Sequence, residues 1–323
     1  MKAMVLGEGG VTAEERPVPE PGADQVLVAV RACGLNRADL LVARGGRHGF
    51  AGGAGAVAGM EWSGDVLAVG DNVTEVAVGD RVMCAGTGGW AEQAVADRGR
   101  VIPIPDRNMS YEMAATLPVA LATMHDAVVT HGRVAEGQAV LIQGASSGVG
   151  LMAQQIARLK GARLVIGTST DAARRARLGE FGADLAVDTR AEDWVERILE
   201  ATGGEGVDLS VDQVSGALAN GTMRATRILG RVINVGRLGG MSADFDFDQH
   251  ALRRIAYVGV TFRTRTVEEV RDINRRLLAD LGPALEDGRL ALPIDRTFAL
   301  DEAAAALDHM AANAHFGKIV LVV

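Results

Sequence analysis

Hydrophobic positions follow two different patterns along the chain, and the change comes near Leu121. Before it, short apolar and β-branched segments alternate with Gly-Asp and Gly-Gly turn signals, which is typical of a compact, mostly antiparallel β body. The predicted strands in this part are 26–30, 63–69, 81–85 and 90–96, and the predicted helices are 36–44 and 110–115.

After Leu121, nearly continuous apolar runs alternate with helical stretches at a spacing of roughly twenty-odd residues, which fits a strand, a helix and two turns. Apolar residues throughout a run indicate burial on both faces, as a parallel sheet requires. We therefore predict an α/β domain with a doubly wound parallel sheet, its last strand at one edge. The runs are 139–143, 163–167, 185–188, 207–212, 231–235 and 256–262.

The helical stretches complete this division into two domains. Residues 171–181 predict an amphipathic helix with Ala172, Ala176 and Phe181 roughly on one side. The tail predicts helices at about 267–286 and 301–312 and a final strand at 317–323. We expect a first domain of residues 1–121 completed by 263–323, and a second domain of residues 122–262.

Composition and charge exclude several classes of partner. The 323 residues include 41 glycines, are 48% hydrophobic, and carry 33 Lys and Arg against 41 Asp and Glu. The net charge of −8 argues against nucleic acid or an anionic membrane surface as a partner. Cys33 and Cys84 are too few for a disulfide framework. We see neither a secretory segment after Met1 nor an apolar run of ~20 residues, so we expect a cytoplasmic protein.

A glycine-rich turn directly follows the first strand of the second pattern. Small residues there let the backbone approach a pyrophosphate, whose charge then lies at a helix N-terminus. Against the GxGxxG template, Ala145 and Ser147 replace the first two glycines and Gly150 fits the third; the alternative is an ordinary βα turn. The predicted cofactor contacts are Ser146, Ser147, Gly148, Val149 and Gly150.

The end of the next strand bears on the choice of cofactor. NAD-binding proteins place an acid there, whereas this chain has the hydroxyls of Thr168 and Ser169, followed by Arg174 and Arg175. Hydroxyls and guanidinium groups suit a 2′-phosphate, so we predict NADPH, with Thr168, Ser169 and Arg174 in contact with it. Asp171 is the exception, and we interpret it as the N-cap of the next helix.

Seven segments occur together in one family: CGLNRAD at 33–39, GMEWSG at 59–64, VGDRV at 78–82, LPVALAT at 117–123, the turn at 145–150, NVG at 234–236 and GKIVL at 317–321. On them the chain resembles the medium-chain dehydrogenase/reductase superfamily, and within it the zinc-free quinone oxidoreductases (the zeta-crystallin group), over essentially its whole length. The resemblance implies a GroES-like first domain, a Rossmann second domain with the nicotinamide between the two, and a homodimer formed through the edge strand.

The resemblance also bears on metal. In the zinc alcohol dehydrogenases of this superfamily a cysteine ligand stands at the position of Asn36, and a histidine ligand at that of Met60. Neither residue present here suits zinc, and we expect Cys33 to be a small packed hydrophobe. Without a Lewis acid, the hydride acceptor must already be electrophilic, as a quinone or a conjugated enone is.

The resemblance implies a set of site residues, each of which has a plainer alternative. Asn36 could instead cap a helix, Thr123 could bond within its own helix, and Asp39 could face solvent. Arg47 or His48 stands near the place of a tyrosine found in many relatives, with a solvated loop as the alternative. We expect Arg265, but not Arg263, to be solvated, and we expect Met60 and Trp62 to belong to the core. The implied catalytic residues are Asn36, Arg47 and Thr123, and the implied cofactor neighbours are Asn36, Arg37, Asp39, Thr123, Val235, Gly236, Arg237, Phe262, Arg263 and Lys318.

These observations predict an NADPH-dependent reductase of small-molecule quinones or conjugated enones. Reduction of an enoyl thioester is an alternative, because such reductases share the fold and the zinc-free pattern. A nucleotide-binding protein with little turnover is a second alternative.

Overall fold

Two units make up the chain in this computed structural model, which describes residues 1–105 and 109–323. The first comprises Met1–Ala122 and Phe262–Val323, and the second Thr123–Thr261. The strands are β1 (Lys2–Gly7), β2 (Gly10–Glu15), β3 (Gln25–Gly34), β4 (Glu61–Val69), β5 (Arg81–Ala85), β6 (Gln93–Asp97), β7 (Val101–Pro103), β8 (Ala139–Gln143), β9 (Leu164–Thr168), β10 (Leu185–Val187), β11 (Val207–Asp212), β12 (Thr226–Asn234), β13 (Ala256–Gly259), β14 (Ile294–Ala299) and β15 (Lys318–Val322). The helices are α1 (Arg37–Ala43), α2 (Tyr111–Ala114), α3 (Pro118–Met124), α4 (Gly148–Leu159), α5 (Ala172–Ala176), α6 (Trp194–Ala201), α7 (Ala219–Ala225), α8 (Phe247–Arg253), α9 (Val267–Glu286) and α10 (Ala303–Ala311), with a π-helical turn at His125–His131 and short 3-10 turns.

The first unit is built on a seven-stranded sheet, ordered β14-β15-β3-β4-β5-β7, with β6 also paired to β3. All of these pairings are antiparallel except β14 with β15, which confirms the predicted β body. Strands β1 and β2 form a separate antiparallel pair. The indole rings of Trp62 and Trp90 are fully buried in the core of the first unit.

The second unit is a six-stranded sheet, ordered β10-β9-β8-β11-β12-β13, in which every pairing is parallel. All five residues of β8 are buried, as a central strand covered on both faces must be. From β8 the chain runs outward through β9 and β10, then returns to the other side of β8 at β11. The predicted doubly wound fold is confirmed, and its switch point lies between the carboxyl ends of β8 and β11.

Several local predictions were wrong. The expected helix at 171–181 is the short α5 followed by a 3-10 turn at Leu178–Phe181. Ala172 and Ala176 are exposed there, and Leu178 is the buried residue. Strand β13 lies at the sheet edge as predicted, although it ends at Gly259. Strand β14 escaped notice because most of its residues are exposed and the sequence IDRTFA lacks an apolar run.

The expectation that no apolar stretch is long enough to span a membrane also needs correction. The helical stretch Tyr111–His131 is 21 residues long and passes that test by length and composition. However, 72% of its most apolar window is buried inside the protein, which is the pattern of a core helix.

Candidate functional site

The glycine-rich turn after β8 has the tight geometry that its sequence predicts. Ser147 is the N-cap of α4, and its Oγ accepts a hydrogen bond from the Gly150 N–H at 3.1 Å. A Cβ added at Gly150 would lie 2.5 Å from the carbonyl oxygen of Gly144, so any side chain there would collide with the backbone. The first N–H groups of α4 have no acceptor within the helix, and the helix dipole makes this end positive. The turn therefore has the shape and polarity of a phosphate site.

A buried amide joins this turn to the other side of the switch point. Gln213 directly follows β11 and is 2% exposed, and its Oε1 accepts from the hydroxyl of Ser147 at 2.8 Å. Within 1–105 and 109–323, the Gln213 Nε2 has no hydrogen-bond partner. A buried donor without an acceptor is costly, which suggests that a bound group completes it. Gln213 was not predicted from the sequence, although its place after β11 matches that of the turn after β8.

The two hydroxyls predicted at the end of β9 differ in what they contact. Thr168 is 2% exposed, and its hydroxyl donates to Gln143 Oε1 at 2.7 Å and accepts from the Gly144 N–H at 3.0 Å. It thus holds the turn in place from behind. The hydroxyl of Ser169 lies 3.1 Å from that of Ser146, so these two side chains meet beside the turn.

Three arginines gather beyond the ends of β9 and β10. Arg175 and Arg190 both contact Asp188, at 3.1 and 2.8 Å, and hydrogen bonds from Arg190 are the main cause that lowers the pKa of Asp188 to about 2. Arg174 is half-buried at the start of α5. Asp171 accepts from the Arg174 N–H at 2.8 Å, which confirms its role as an N-cap. Arg190, which follows β10, the next strand along the sheet, was not predicted from the sequence.

The end of β12 carries Val235, Gly236 and Arg237, all half-buried. The guanidinium of Arg237 turns back onto its own strand end, donating to Asn234 Oδ1 at 3.0 Å and to the Val235 carbonyl at 3.4 Å. A Cβ at Gly236 would lie 2.4 Å from the Gln213 carbonyl oxygen. The loops after β11 and β12 are therefore packed together.

In the first unit, a buried ion pair holds the side chain of Asn36. Lys318 Nζ lies 2.5 Å from Glu61 Oε1, with the two side chains only 7% and 0% exposed. Asn36 donates from Nδ2 to Glu61 Oε1 at 2.9 Å and accepts from Lys318 Nζ at 3.0 Å. Glu61 Oε2 also accepts from the Val119 N–H at 2.9 Å. Asn36 stands at the N-cap position of α1, yet its amide is committed to this pair.

Asp39 is buried, so the solvent-facing alternative is wrong. Its exposure is 3%, and its carboxylate accepts from the Asn36 N–H at 2.7 Å. Burial raises the pKa of Asp39 to about 7, against the lowering effects of that N–H and of Lys318. Asp39 thus fixes the backbone of Asn36, while Glu61 and Lys318 fix its side chain. Glu61 is the member that sequence reasoning did not single out.

The remaining candidates are spread over more open positions. Arg37 donates to the Met310 carbonyl at 3.0 Å, which ties α1 to α10. Arg47 is exposed, whereas His48 is half-buried, and burial, together with the charge of Arg263, lowers the His48 pKa. Thr123 is half-buried in α3.

The segment that follows β13 differs from expectation at both of its arginines. Phe262 is half-buried and Arg263 is exposed. Arg265, which we expected to be the solvated arginine, has a side chain only 21% exposed and lies 3.2 Å from Glu269 Oε1. Arg265 is partly covered because α9 begins just after it, and the first turn of this helix brings Glu269, four residues on, beside the guanidinium.

Asn36, at the first of the two expected metal positions, does not suit zinc. Asn36 Oδ1 already accepts from the Lys318 ammonium, and a dication placed at that oxygen would meet a buried like charge. Cys33 is fully buried as expected, its Sγ donates to the Gly89 carbonyl at 3.0 Å, and burial raises its pKa, which disfavours the thiolate that zinc needs. Across residues 1–105 and 109–323, no group of three or more His, Cys, Asp or Glu is arranged to hold a metal.

Two family models match the chain. Residues 22–106 match the alcohol dehydrogenase GroES-like domain, and residues 148–278 match the model described as a zinc-binding dehydrogenase. The chain is 29% identical over 308 residues to a quinone oxidoreductase of Rattus norvegicus, covering 94% of this chain and 91% of that one.

Other relatives are larger or known from structures. The chain is 36% identical over 304 residues to a phenolphthiocerol/phthiocerol polyketide synthase of Mycobacterium tuberculosis, covering 93% of this chain. It spans only 14% of that protein's length. The solved structure of CurK enoyl reductase superposes with a TM-score of 0.86 at 27% identity, covering 99% of this chain and 98% of that one. With its GroES-like unit, its doubly wound unit and these relatives, the chain belongs to the medium-chain dehydrogenase/reductase superfamily.

Proposed function

We propose that this oxidoreductase transfers a hydride from NADPH to a quinone or a conjugated enone, and that it does so without a metal. The observation that carries the proposal is the buried Lys318–Glu61 pair, to which Asn36 is hydrogen-bonded. Asn36 stands where the zinc enzymes of the superfamily have a metal ligand, and its amide oxygen already accepts a hydrogen bond from the Lys318 ammonium. An acceptor of this class delocalises the incoming charge onto a distant oxygen, so binding, orientation and hydrogen-bond donors suffice.

The dinucleotide residues follow from the turn and its surroundings. Ser146, Ser147, Gly148, Val149 and Gly150 would hold the pyrophosphate, with Thr168 positioning the turn from behind. NADPH supplies the hydride when bound. Val235, Gly236, Thr123, Phe262 and Lys318 complete the proposed set of cofactor neighbours.

Specificity for the extra phosphate would come from Arg174, supported by Ser169 and by the arginines around Asp188. A guanidinium forms strong charged hydrogen bonds to phosphate, and the site lacks the acid that an NAD-binding protein places at the end of β9. Asp171 does not take that role, because its carboxylate is used by the N–H of Arg174.

On the acceptor side, the roles of Asn36 and Arg47 are proposed separately. Asn36 would contact cofactor and substrate with a fixed amide, since both of its polar atoms are already oriented by Glu61 and Lys318. Arg47 is exposed and would donate to the oxygen on which charge develops. The same side of the site would also include Arg37, Asp39 and Arg263. Asp39 would act there by holding the backbone of Asn36.

The reaction is tested by following NADPH oxidation at 340 nm with a small benzoquinone, a cyclic enone and a crotonyl thioester, alongside metal analysis of the protein. The proposal expects turnover with the quinone or the enone and substoichiometric zinc. Stoichiometric zinc, or tight NADPH binding with no turnover on the whole panel, would overturn it.

Cofactor choice is tested by Arg174→Gln. We expect NADPH affinity to fall about tenfold or more, with NADH affinity unchanged, since a charged hydrogen bond contributes roughly 1.5–3 kcal/mol. Arg177→Gln is the matched control, because Arg177 lies one residue beyond α5 and pairs with Glu180. Equal losses for both cofactors would refute the role of Arg174.

Enoyl-thioester reduction is the second candidate, and the likeness to CurK enoyl reductase favours it. In the panel above, a preference for the crotonyl thioester over the quinone would select it. We also propose that the protein is cytoplasmic and that it forms a homodimer. The dimer is proposed because β13 leaves an unpaired sheet edge that a second copy could cover. Sedimentation at micromolar concentration tests the dimer.

A further inference from the structure

The second unit contains a cavity of about 290 Å³ beyond the ends of β11 and β12. Ser215, Asn234 and Arg237 form its polar wall, and Phe245 and Tyr257 form its aromatic wall. All of its lining residues belong to this one unit. The volume is near the lower end of the roughly 300–1,000 Å³ typical of small-molecule pockets, so the cavity suits a compact ligand.

The sheet itself brings these side chains to one face. Asn234 pairs with Gly259 across the β12–β13 ladder, and Tyr257 pairs with Val232. Because residues two apart in a strand share a face, Asn234 and Tyr257 lie on the same side of the sheet. The ring of Phe245 stacks edge-on against Tyr257, with centroids 5.8 Å apart. The aromatic wall is therefore built by packing rather than by chance exposure.

Arg237 brings hydrogen-bond donors to this cavity that its neighbours do not use. Arg237 uses two of its five N–H groups, on Asn234 Oδ1 and on the Val235 carbonyl, and both acceptors are neutral. Among residues 1–105 and 109–323, no ion pair joins Arg237 to a carboxylate. The Ser215 hydroxyl is already committed as a donor to the Gly236 carbonyl at 2.8 Å.

The phenol of Tyr257 adds a second free donor. Burial raises its pKa, and the charge of Asp212 raises it further against the lowering effect of Arg237, so the hydroxyl keeps its proton at neutral pH. Asp244 also lines the cavity but is exposed, and solvent screens its charge. The cavity therefore combines a cation without a carboxylate partner, a neutral donor and an aromatic wall.

We propose that this cavity binds a small organic carboxylate with a planar or short acyl body. The carboxylate would accept hydrogen bonds from Arg237 and Tyr257, and the body would lie against Phe245. All of the residues involved belong to the second unit, and this binding does not depend on whether the hydride acceptor is a quinone. Arg237 would then contact this ligand rather than the cofactor that its sequence position suggests.

The test titrates benzoate into the 323-residue chain by calorimetry, with and without saturating NADPH, and uses neutral benzamide as the matched probe. We expect benzoate to bind saturably, with a dissociation constant below about 10 mM. Benzamide should bind at least tenfold more weakly, since the guanidinium favours the anion. Arg237→Gln should weaken benzoate at least tenfold, and Tyr257→Phe about threefold. Arg224→Gln, at an exposed position on α7, should leave benzoate affinity unchanged.

Thermal unfolding and NADPH affinity of each variant show whether it is folded, so a loss of benzoate binding can be assigned to the cavity. Tyr257→Phe provides a second route if Arg237→Gln fails to fold. Equal affinity for benzamide, no saturation, or benzoate affinity unchanged in both variants would overturn the inference. Displacement of benzoate by NADPH would also overturn it, because it would locate the ligand in the nucleotide site. The proposed reductase activity is measured separately by NADPH oxidation, so the two ideas can fail independently.

Discussion

Replacing Glu61 by Gln removes the charge that balances a buried ammonium. Glu61 is fully buried, and its two oxygens serve three donors, on Lys318, Asn36 and Val119. A glutamine side chain has one oxygen and one NH2 group, so at least one of these donors would face another donor. The substitution therefore leaves Lys318 as an unpaired cation in the core of the first unit.

Removing one partner of a buried ion pair costs about 3–5 kcal/mol, and we expect a loss in this range for Glu61→Gln. Much of that loss comes from the uncompensated ammonium. Adding Lys318→Met should therefore recover part of it, so that the double variant is at least about 2 kcal/mol more stable than the sum of the single effects predicts. Glu92→Gln is the control, since Glu92 is exposed and its bond to the Lys2 N–H can be made by an amide oxygen. We expect an effect within about 0.5 kcal/mol.

Urea unfolding monitored by tryptophan fluorescence measures these free energies. Of the three tryptophans, Trp62 and Trp90 lie in the first unit and Trp194 in the second, so a Trp194→Phe background reports the first unit alone. A loss below about 1 kcal/mol for Glu61→Gln, or strict additivity in the double variant, would refute the reasoning.

Three further predictions concern the site. Because burial raises the folded-state pKa of Asp39 to about 7 from an ordinary 3.8, the folded protein holds this proton more tightly than the unfolded chain. The free energy of unfolding should then fall by up to about 4 kcal/mol between about pH 4 and 7 and level off above pH 7. Asp39→Asn should remove this pH dependence, measured as the midpoint of urea unfolding, and an unchanged dependence would contradict the assignment. Ser147→Ala should cost about 1 kcal/mol in the second unit, read from Trp194, and weaken NADPH binding, because it removes the cap of α4 and the bond to Gln213; intact affinity would argue against the turn. Gly150→Ala should abolish NADPH binding measured by fluorescence, whereas Gly179→Ala, which meets nothing within 4 Å, should preserve it.

Local features of the sequence predicted the fold and the turn well. Strand β8 and the turn after it are adjacent in the chain, and their small and apolar residues determine local geometry directly. The predicted helix at 171–181 was wrong because its sequence determines the local geometry only weakly. The apolar spacing of Ala172, Ala176 and Phe181 is weak, and packing of Leu178 into the second unit decided the conformation.

The partners in the candidate site depend on long-range contacts that spacing cannot reveal. Glu61 and Lys318 are 257 positions apart in sequence, and only the pairing of β15, β3 and β4 in one sheet brings them together. Thr168 illustrates a related limit. Its position after β9 suggested a ligand contact, but its hydroxyl is used by Gln143 and Gly144. Sequence position located the right neighbourhood without assigning each hydrogen bond.

The most direct test of metal-free hydride transfer uses NADPH with deuterium at both C4 positions and a cyclic enone, with protein dialysed against a chelator until zinc is undetectable. The account predicts that deuterium appears at the β-carbon of the enone, at the same rate as before dialysis. Transfer that stops on dialysis and returns with zinc would contradict it, as would NADPH oxidation without deuterium in the product.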